Sequence, residues 1–395
     1  MFGFFIRFVG MVLGAALALG TMVSMQLPLL HEASTFTASL GAVPATSTST
    51  IAWPRVGSAA LVIPSLGVQR TWHDTVVPIA SLTKLMTAYV VLQKLPLSIG
   101  ESGPCITMTS ADVQYYDTIK AEGQSSAAVA DGEVLCEATL LDGMLVHSAN
   151  NFASILAEMT SGSTSDFVTQ MNLAARALGL THTHYADPAG YDARSVSTAL
   201  EQGHLASILM QSSLVRAIVD QSSVTLPVAG TLGSFTPFVG VDNVVGVKSG
   251  RTDAAGGCDV MAMDFVLNGR TQLAYAVVLG ARGGDLLGPA GDEALALEQS
   301  VLTSQQLLDL PTGTVVGTLG WGTRRSNLVL AAPLTLEWFS ALHSANASLS
   351  VATEHAAVAP GQVVGWLSVD EGTVHRVAVT VARRVSPASL LERLR

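Results

Sequence analysis

The chain of 395 residues is only 13% charged, has a formal net charge of −10 and is 49% apolar, where an ordinary soluble domain is roughly 25% charged. No basic stripe is available to neutralise phosphates, which excludes a nucleic-acid partner, and this apolar content excludes disorder throughout. Only one apolar run is long enough to span a bilayer, so a polytopic membrane protein is excluded too, and the length suggests two domains.

That run is Phe8 to Leu30, which has no charged residue; Arg7 precedes it, and the next basic residue is Arg55. A helix of this length crosses a hydrocarbon core, and the positive flank puts the rest of the chain outside the cytoplasm. Residues 1–30 are therefore expected to be a signal-anchor. A cleaved signal peptide is the rival reading, although no clear small-residue cleavage site follows Leu30. Residues 31–50, rich in Ser, Thr and Ala, read as a flexible linker.

From Ile51 the character changes. Ser58 to Ile63 reads as a strand and Val68 to Trp72 as its hairpin partner. Leu82 to Lys94 carries Leu85, Met86, Tyr89, Val90 and Leu92 at helical spacing. Ala138 to Met159 is helical with an interruption at 147–150. Asp166 to Leu178 is amphipathic, with Gly179 placed to stop it. Val244 to Val247 is strand-like, and Leu273 to Leu279 is apolar throughout, like a buried strand. Beyond Leu310 come short alternating runs separated by Gly and Pro: 314–319, 327–330, 348–353, 363–369 and 375–381. They predict a small all-β domain over 309–395, after a larger domain over 51–308.

Four of the twenty basic residues are lysines: Lys84, Lys94, Lys120 and Lys248. Lys84 closes the run Ser81-Leu82-Thr83-Lys84. On a helix, residues three apart share a face, so an amine there reaches the hydroxyl. A partly desolvated amine is neutral enough to activate a serine. About 0.4 such S-x-x-K matches arise by chance in a chain like this, so alone it is weak. Lys248-Ser249-Gly250 is rarer. Lys248 offers a positive charge, Ser249 a hydroxyl for a carboxylate, and Gly250 room for a substrate backbone to approach. Ser148-Ala149-Asn150 supplies a hydroxyl that passes a proton and an amide that binds a carbonyl. A second His-Ser-Ala-Asn at 343–346 sits in the β-rich tail without partner motifs.

In this order the three motifs match a known signature of penicillin-binding proteins and class A β-lactamases. The context of the first (Pro78 to Thr87), the second (Met144 to Asn151) and the third (Val247 to Gly256), with Asp187-Pro188-Ala189-Gly190 between them, resembles the D-alanyl-D-alanine carboxypeptidases. These are the low-molecular-mass penicillin-binding proteins. The resemblance covers about Ile51 to Leu310. It implies a β-lactamase/transpeptidase-like α/β (α+β) catalytic domain with an antiparallel sheet and helices.

It also implies a reaction. Ser81 attacks the penultimate D-Ala carbonyl of a peptidoglycan stem pentapeptide, and Lys84 takes its proton. The backbone N–H groups of Ser81 and Arg251 hold the oxyanion. Ser148 with Lys248 relays a proton to the leaving D-Ala, and Ser249 binds the terminal carboxylate, helped by Arg251 or Arg282. Water then releases the acyl group. β-Lactams would be covalent inhibitors, and no cofactor is implied. Two positions depart from the family pattern: Ser249 stands where Thr is usual, and Asn151 where an acid is common.

The alternatives are an endopeptidase or transpeptidase on this scaffold, a class A-like β-lactamase, and a non-catalytic peptidoglycan-binding protein. The E-x-x-L-N loop of the β-lactamases is absent between Asn150 and Lys248, and all three motifs of a catalyst are present. No C-x-x-C or H-E-x-x-H spacing occurs, so no zinc site is expected. His73, His147, His182, His184 and His204 read as structural or surface residues. Cys105 and Cys136 bracket one segment and pair in an oxidising compartment, leaving Cys258; three small buried residues is the equal alternative.

Overall fold

The computed structural model describes residues 50–321, 324–343, 345–352, 357–370 and 373–386. The expected signal-anchor and nearly all of the linker lie outside these residues. Among the described residues no helix is long and apolar enough to cross a membrane. The chain divides into two compact units, Thr50–Thr303 and the residues from Ser304 onward.

The first unit is built on a five-stranded antiparallel sheet. Strand β1 (Ser58–Ile63) pairs with β2 (Val68–Trp72), and with β11 (Arg270–Ala281), which continues to β10 (Gly256–Leu267) and the edge strand β9 (Val244–Thr252). Alternate side chains of a strand point to opposite faces, and here both faces are covered. Ala59, Met261, Met263, Ala276 and Val278 pack with Ala290, Ala294 and Leu297 of helix α8 (Leu287–Leu302). Ala60, Val260, Ala262 and Val277 face a larger core shared with the other helices. Burial on both faces explains why 273–279 reads as one apolar run.

Among the described residues seven α-helices precede α8: α1 (Thr83–Lys94), α2 (Ser110–Ala121), α3 (Glu137–Leu145), α4 (Asn150–Ser161), α5 (Thr164–Ala177), α6 (Ala199–Leu209) and α7 (Ser213–Val219). Helix α1 is buried over most of its circumference, from Thr83 to Ala88 and again at Val90 and Val91. Such a helix is a core element rather than a surface one, so it carries Lys84 into the interior. The break expected at 147–150 separates α3 from α4, and Ser148 turns the chain with φ 61°.

Cys105 of β4 (Cys105–Thr107) lies opposite Cys136 of β5 (Val134–Cys136), and the two form a disulfide, while Cys258 is free and buried. In the second unit, β13 (Val315–Trp321), β14 (Arg324–Leu330), β18 (Val374–Val381), β17 (Val363–Asp370) and β16 (Asn346–Val351) form a sheet in that order. A separate pair joins β12 (Gln305–Leu310) to β15 (Leu334–Phe339). That pairing puts Gln305 to Leu308 with the tail, so the division falls at Thr303/Ser304 rather than at 308/309.

Candidate active site

Ser81 lies in a 3-10 turn, Ala80–Leu82, that leads directly into α1. Ala80 has φ 48°, a left-handed conformation that is strained for a residue with a side chain. Two glycines make the turn possible. A Cβ on Gly190 would stand 1.8 Å from the Ala80 carbonyl oxygen. A Cβ on Gly250 would stand 2.5 Å from Ser81 N and 3.1 Å from its Cα. Room for a substrate backbone was the expected use of Gly250. Its close neighbour is instead the backbone of Ser81, so β9 and the turn are locked together.

Lys84 is wholly buried. Its Nζ donates to Ser81 Oγ at 2.9 Å, to Asn150 Oδ1 at 2.7 Å and to the Ala189 carbonyl at 2.8 Å. Burial holds its pKa well below the ordinary lysine value; the nearby Lys248 adds to this and Asp187 opposes it. Asn150 Oδ1 and the Ala189 oxygen can only accept. A neutral amine that gives its two N–H groups to them is left with its lone pair toward Ser81.

Lys248 pairs across the sheet with Val260, so it points to the side of the larger core, where Val260 packs. It is fully buried, and its Nζ donates to the Ser249 carbonyl at 2.7 Å. Burial pulls its pKa down to about 7, against an upward pull from Asp259. Ser249 donates its hydroxyl to the Phe235 carbonyl at 2.7 Å. The Phe235 ring stacks on His147, with centroids 4.5 Å apart. Ser148 Oγ is buried and has no hydrogen-bond partner among the described residues. A cavity of about 40 Å³ is lined by Ser81, Ser148, Ser249, Gly250 and Arg251. It adjoins a cleft of about 410 Å³ that shares Ser81 and Arg251 and also reaches Asn150, Gln124 and Gly190. The Arg251 guanidinium donates to the Asp285 carbonyl at 2.7 Å. Arg282 is exposed. The eight residues singled out in the sequence thus meet within one region.

This architecture is shared with known proteins. The family model described as D-alanyl-D-alanine carboxypeptidase matches residues 69–283. The chain belongs to that family. A D-alanyl-D-alanine endopeptidase of Escherichia coli is 31% identical over 229 residues, which is 54% of this chain and 69% of that protein. A D-alanyl-D-alanine carboxypeptidase of Streptomyces is 30% identical over 229 residues, covering 55% of this chain and 76% of the relative. Penicillin-binding protein 5 of Haemophilus influenzae shares the fold, with a TM-score of 0.58 at 21% identity over 84% of this chain and 98% of that one.

Within the family frame, several contacts escape motif reading. The Asn150 amide was expected to meet a substrate carbonyl. Both its ends are engaged by protein, the oxygen by Lys84 and the nitrogen by Gln124 Oε1 at 2.7 Å. Asn151, the departure from the acidic pattern, accepts from Ala127 N at 3.1 Å and donates to Ala127 O at 2.8 Å. A carboxylate cannot make the second bond. The Asp187–Gly190 block holds the turn from behind: Ala189 O takes Lys84, and Pro188 O takes the Thr87 hydroxyl at 2.7 Å. His182, which reads as a structural or surface residue, meets Glu201 at 3.1 Å. That carboxylate also accepts from His182 N and Thr183 Oγ1, so it ties this segment to α6. Among the described residues no cluster of metal-binding side chains occurs.

Proposed function

We propose that the chain removes the terminal D-alanine from peptidoglycan stem pentapeptides through an acyl-enzyme on Ser81. The observation that carries this reading is the buried Lys84 amine, 2.9 Å from Ser81 Oγ and held on its other sides by Asn150 Oδ1 and Ala189 O.

Neutral Lys84 takes the Ser81 proton as Oγ attacks the carbonyl of the penultimate residue. The oxyanion sits between the N–H groups of Ser81 and Arg251, which the contact of Gly250 with Ser81 keeps in register. Ser148 Oγ, which has no hydrogen-bond partner among the described residues, passes a proton to the departing amine. Lys248 and Ser249 take the terminal carboxylate: one lends charge, and the other turns its hydroxyl from Phe235 O to the substrate. Water completes hydrolysis of the ester. β-Lactams, which present a comparable carbonyl and carboxylate, acylate the same serine.

We place this activity outside the cytoplasm, with residues 8–30 attaching the chain to the membrane. The Cys105–Cys136 disulfide supports an oxidising compartment. A second reading, cleavage of cross-linked peptides, is favoured by the endopeptidase of Escherichia coli among the relatives. The two are separated by offering a pentapeptide and a cross-linked dimer in parallel. Release of free D-alanine from the pentapeptide, with the dimer left intact, is the expected result. Cleavage of the dimer alone would overturn it.

A further inference from the structure

Gln124 belongs to none of the three motifs, yet it holds the far end of the Asn150 amide. Asn150 Nδ2 donates to Gln124 Oε1 at 2.7 Å while Asn150 Oδ1 accepts from Lys84 Nζ at 2.7 Å. The two ends of an amide have opposite hydrogen-bond sense. Turned over, Asn150 would aim its NH2 at the Lys84 amine and its oxygen at the Gln124 oxygen. The contact with Gln124 would fail, and the NH2 would draw the lone pair of the neutral amine away from Ser81.

The orientation of Gln124 is fixed in turn. Its Nε2 donates to Glu122 Oε2 at 2.7 Å, which leaves Oε1 for Asn150. A carboxylate only accepts, so Glu122 dictates the sense of every bond from the surface inward to Lys84. Backbone contacts hold this wall in place: Asn150 N donates to Ser125 O at 2.8 Å, and Asn151 grips both polar groups of Ala127.

We propose that Gln124 is a positioning residue for the reaction, fixing the Asn150 amide so that the Lys84 lone pair is left facing Ser81. This rests on the reading of Lys84 as the base. Neither sequence motif nor short spacing marks Gln124, because its partner lies 26 residues along the chain.

The test uses the full chain and the rate of acylation by a fluorescent penicillin, followed from about pH 5 to about pH 10. Gln124→Met keeps length and approximate volume but offers only the weak acceptor of a thioether. Gln124→Glu keeps an acceptor, adds a charge and gives up the bond to Glu122 Oε2. The other charged groups near Lys84, Lys248 and Asp187, are the same in both variants.

With Gln124→Met the Asn150 amide turns and presents its nitrogen to the amine. The limiting rate then falls about tenfold. The acidic limb of the profile moves down by about half a pH unit, because the ammonium has lost an acceptor. Gln124→Glu recovers most of the rate and moves the limb upward, because a carboxylate favours the ammonium. Equal losses in both variants with an unmoved limb would overturn the proposal in favour of simple packing, as would a Gln124→Met profile indistinguishable from wild type. A wild-type chain that takes no label overturns the reading of Ser81 and Lys84 itself, and that result is seen before any variant is compared.

Discussion

Gly250 and Ser81 touch through their backbones: a Cβ at position 250 would stand 2.5 Å from Ser81 N. The edge strand carrying Lys248 and the turn carrying Ser81 are therefore held at a separation only glycine allows. Gly250→Ala must push them apart. Overpacking of this kind costs roughly 1–3 kcal/mol, which a domain of this size survives. A displacement of about 1 Å at a reacting atom costs about a hundredfold in rate. The expected outcome is a folded protein with a modestly lower Tm and acylation reduced by about two orders of magnitude, read by circular dichroism and penicillin labelling together.

The two buried lysines give the reaction its pH dependence. Lys84 must be neutral to accept a proton, so acylation falls as pH drops through its lowered pKa. Lys248 binds a carboxylate as an ammonium, and its pKa is about 7 in the free protein. Above that pH it loses its charge, and kcat/KM for a pentapeptide declines. Bound substrate carboxylate holds the proton on, so kcat declines at higher pH than kcat/KM. Paired pH profiles of the two constants check this. An alkaline limb at the same pH in both would contradict it.

Asn151 needs both ends of its amide for Ala127. Asn151→Asp keeps the acceptor and sets a carboxylate against the Ala127 carbonyl. A buried polar group left unpaired costs about 1–3 kcal/mol. Protonated, the acid can donate again, so the loss of stability is expected to shrink as pH falls toward the carboxylate range. Thermal melts at neutral and acidic pH read this directly.

The disulfide closes a loop with a sequence separation of 31 that contains α2 and the Gln124–Ala127 wall. A loop of that length gives roughly 3–4 kcal/mol in the chain-entropy account. Replacing Cys105 and Cys136 together by serine is expected to lower Tm by several degrees. Acylation should weaken under conditions where the rest of the unit is still folded, which labelling during a thermal ramp would show.

Much of this was legible in the chain itself. Strands β1 and β2 form the hairpin expected over Ser58–Ile63 and Val68–Trp72. Ser81 and Lys84 are three residues apart, so helix geometry alone brings them together. Legibility ends where partners are distant. Lys84 meets Asn150 across 66 residues and the Ala189 carbonyl across 105. The second of these is a backbone group, which carries no side-chain signature. Strand β10 escaped notice because its Ala and Met residues are weak strand signals and Asp259 interrupts them; pairing on both edges and burial on both faces fix it instead. Strand β12 belongs to the tail only through its register with β15, a long-range contact.

The central claim is that Ser81 becomes the acylated residue with Lys84 as its base. Intact-protein mass after exposure to benzylpenicillin, followed by peptide mapping, tests it most directly. Wild type is expected to gain one penicilloyl group on the peptide containing Ser81, and Ser81→Ala to gain none. A Ser81→Ala protein that takes up the label as fully as wild type would contradict the account.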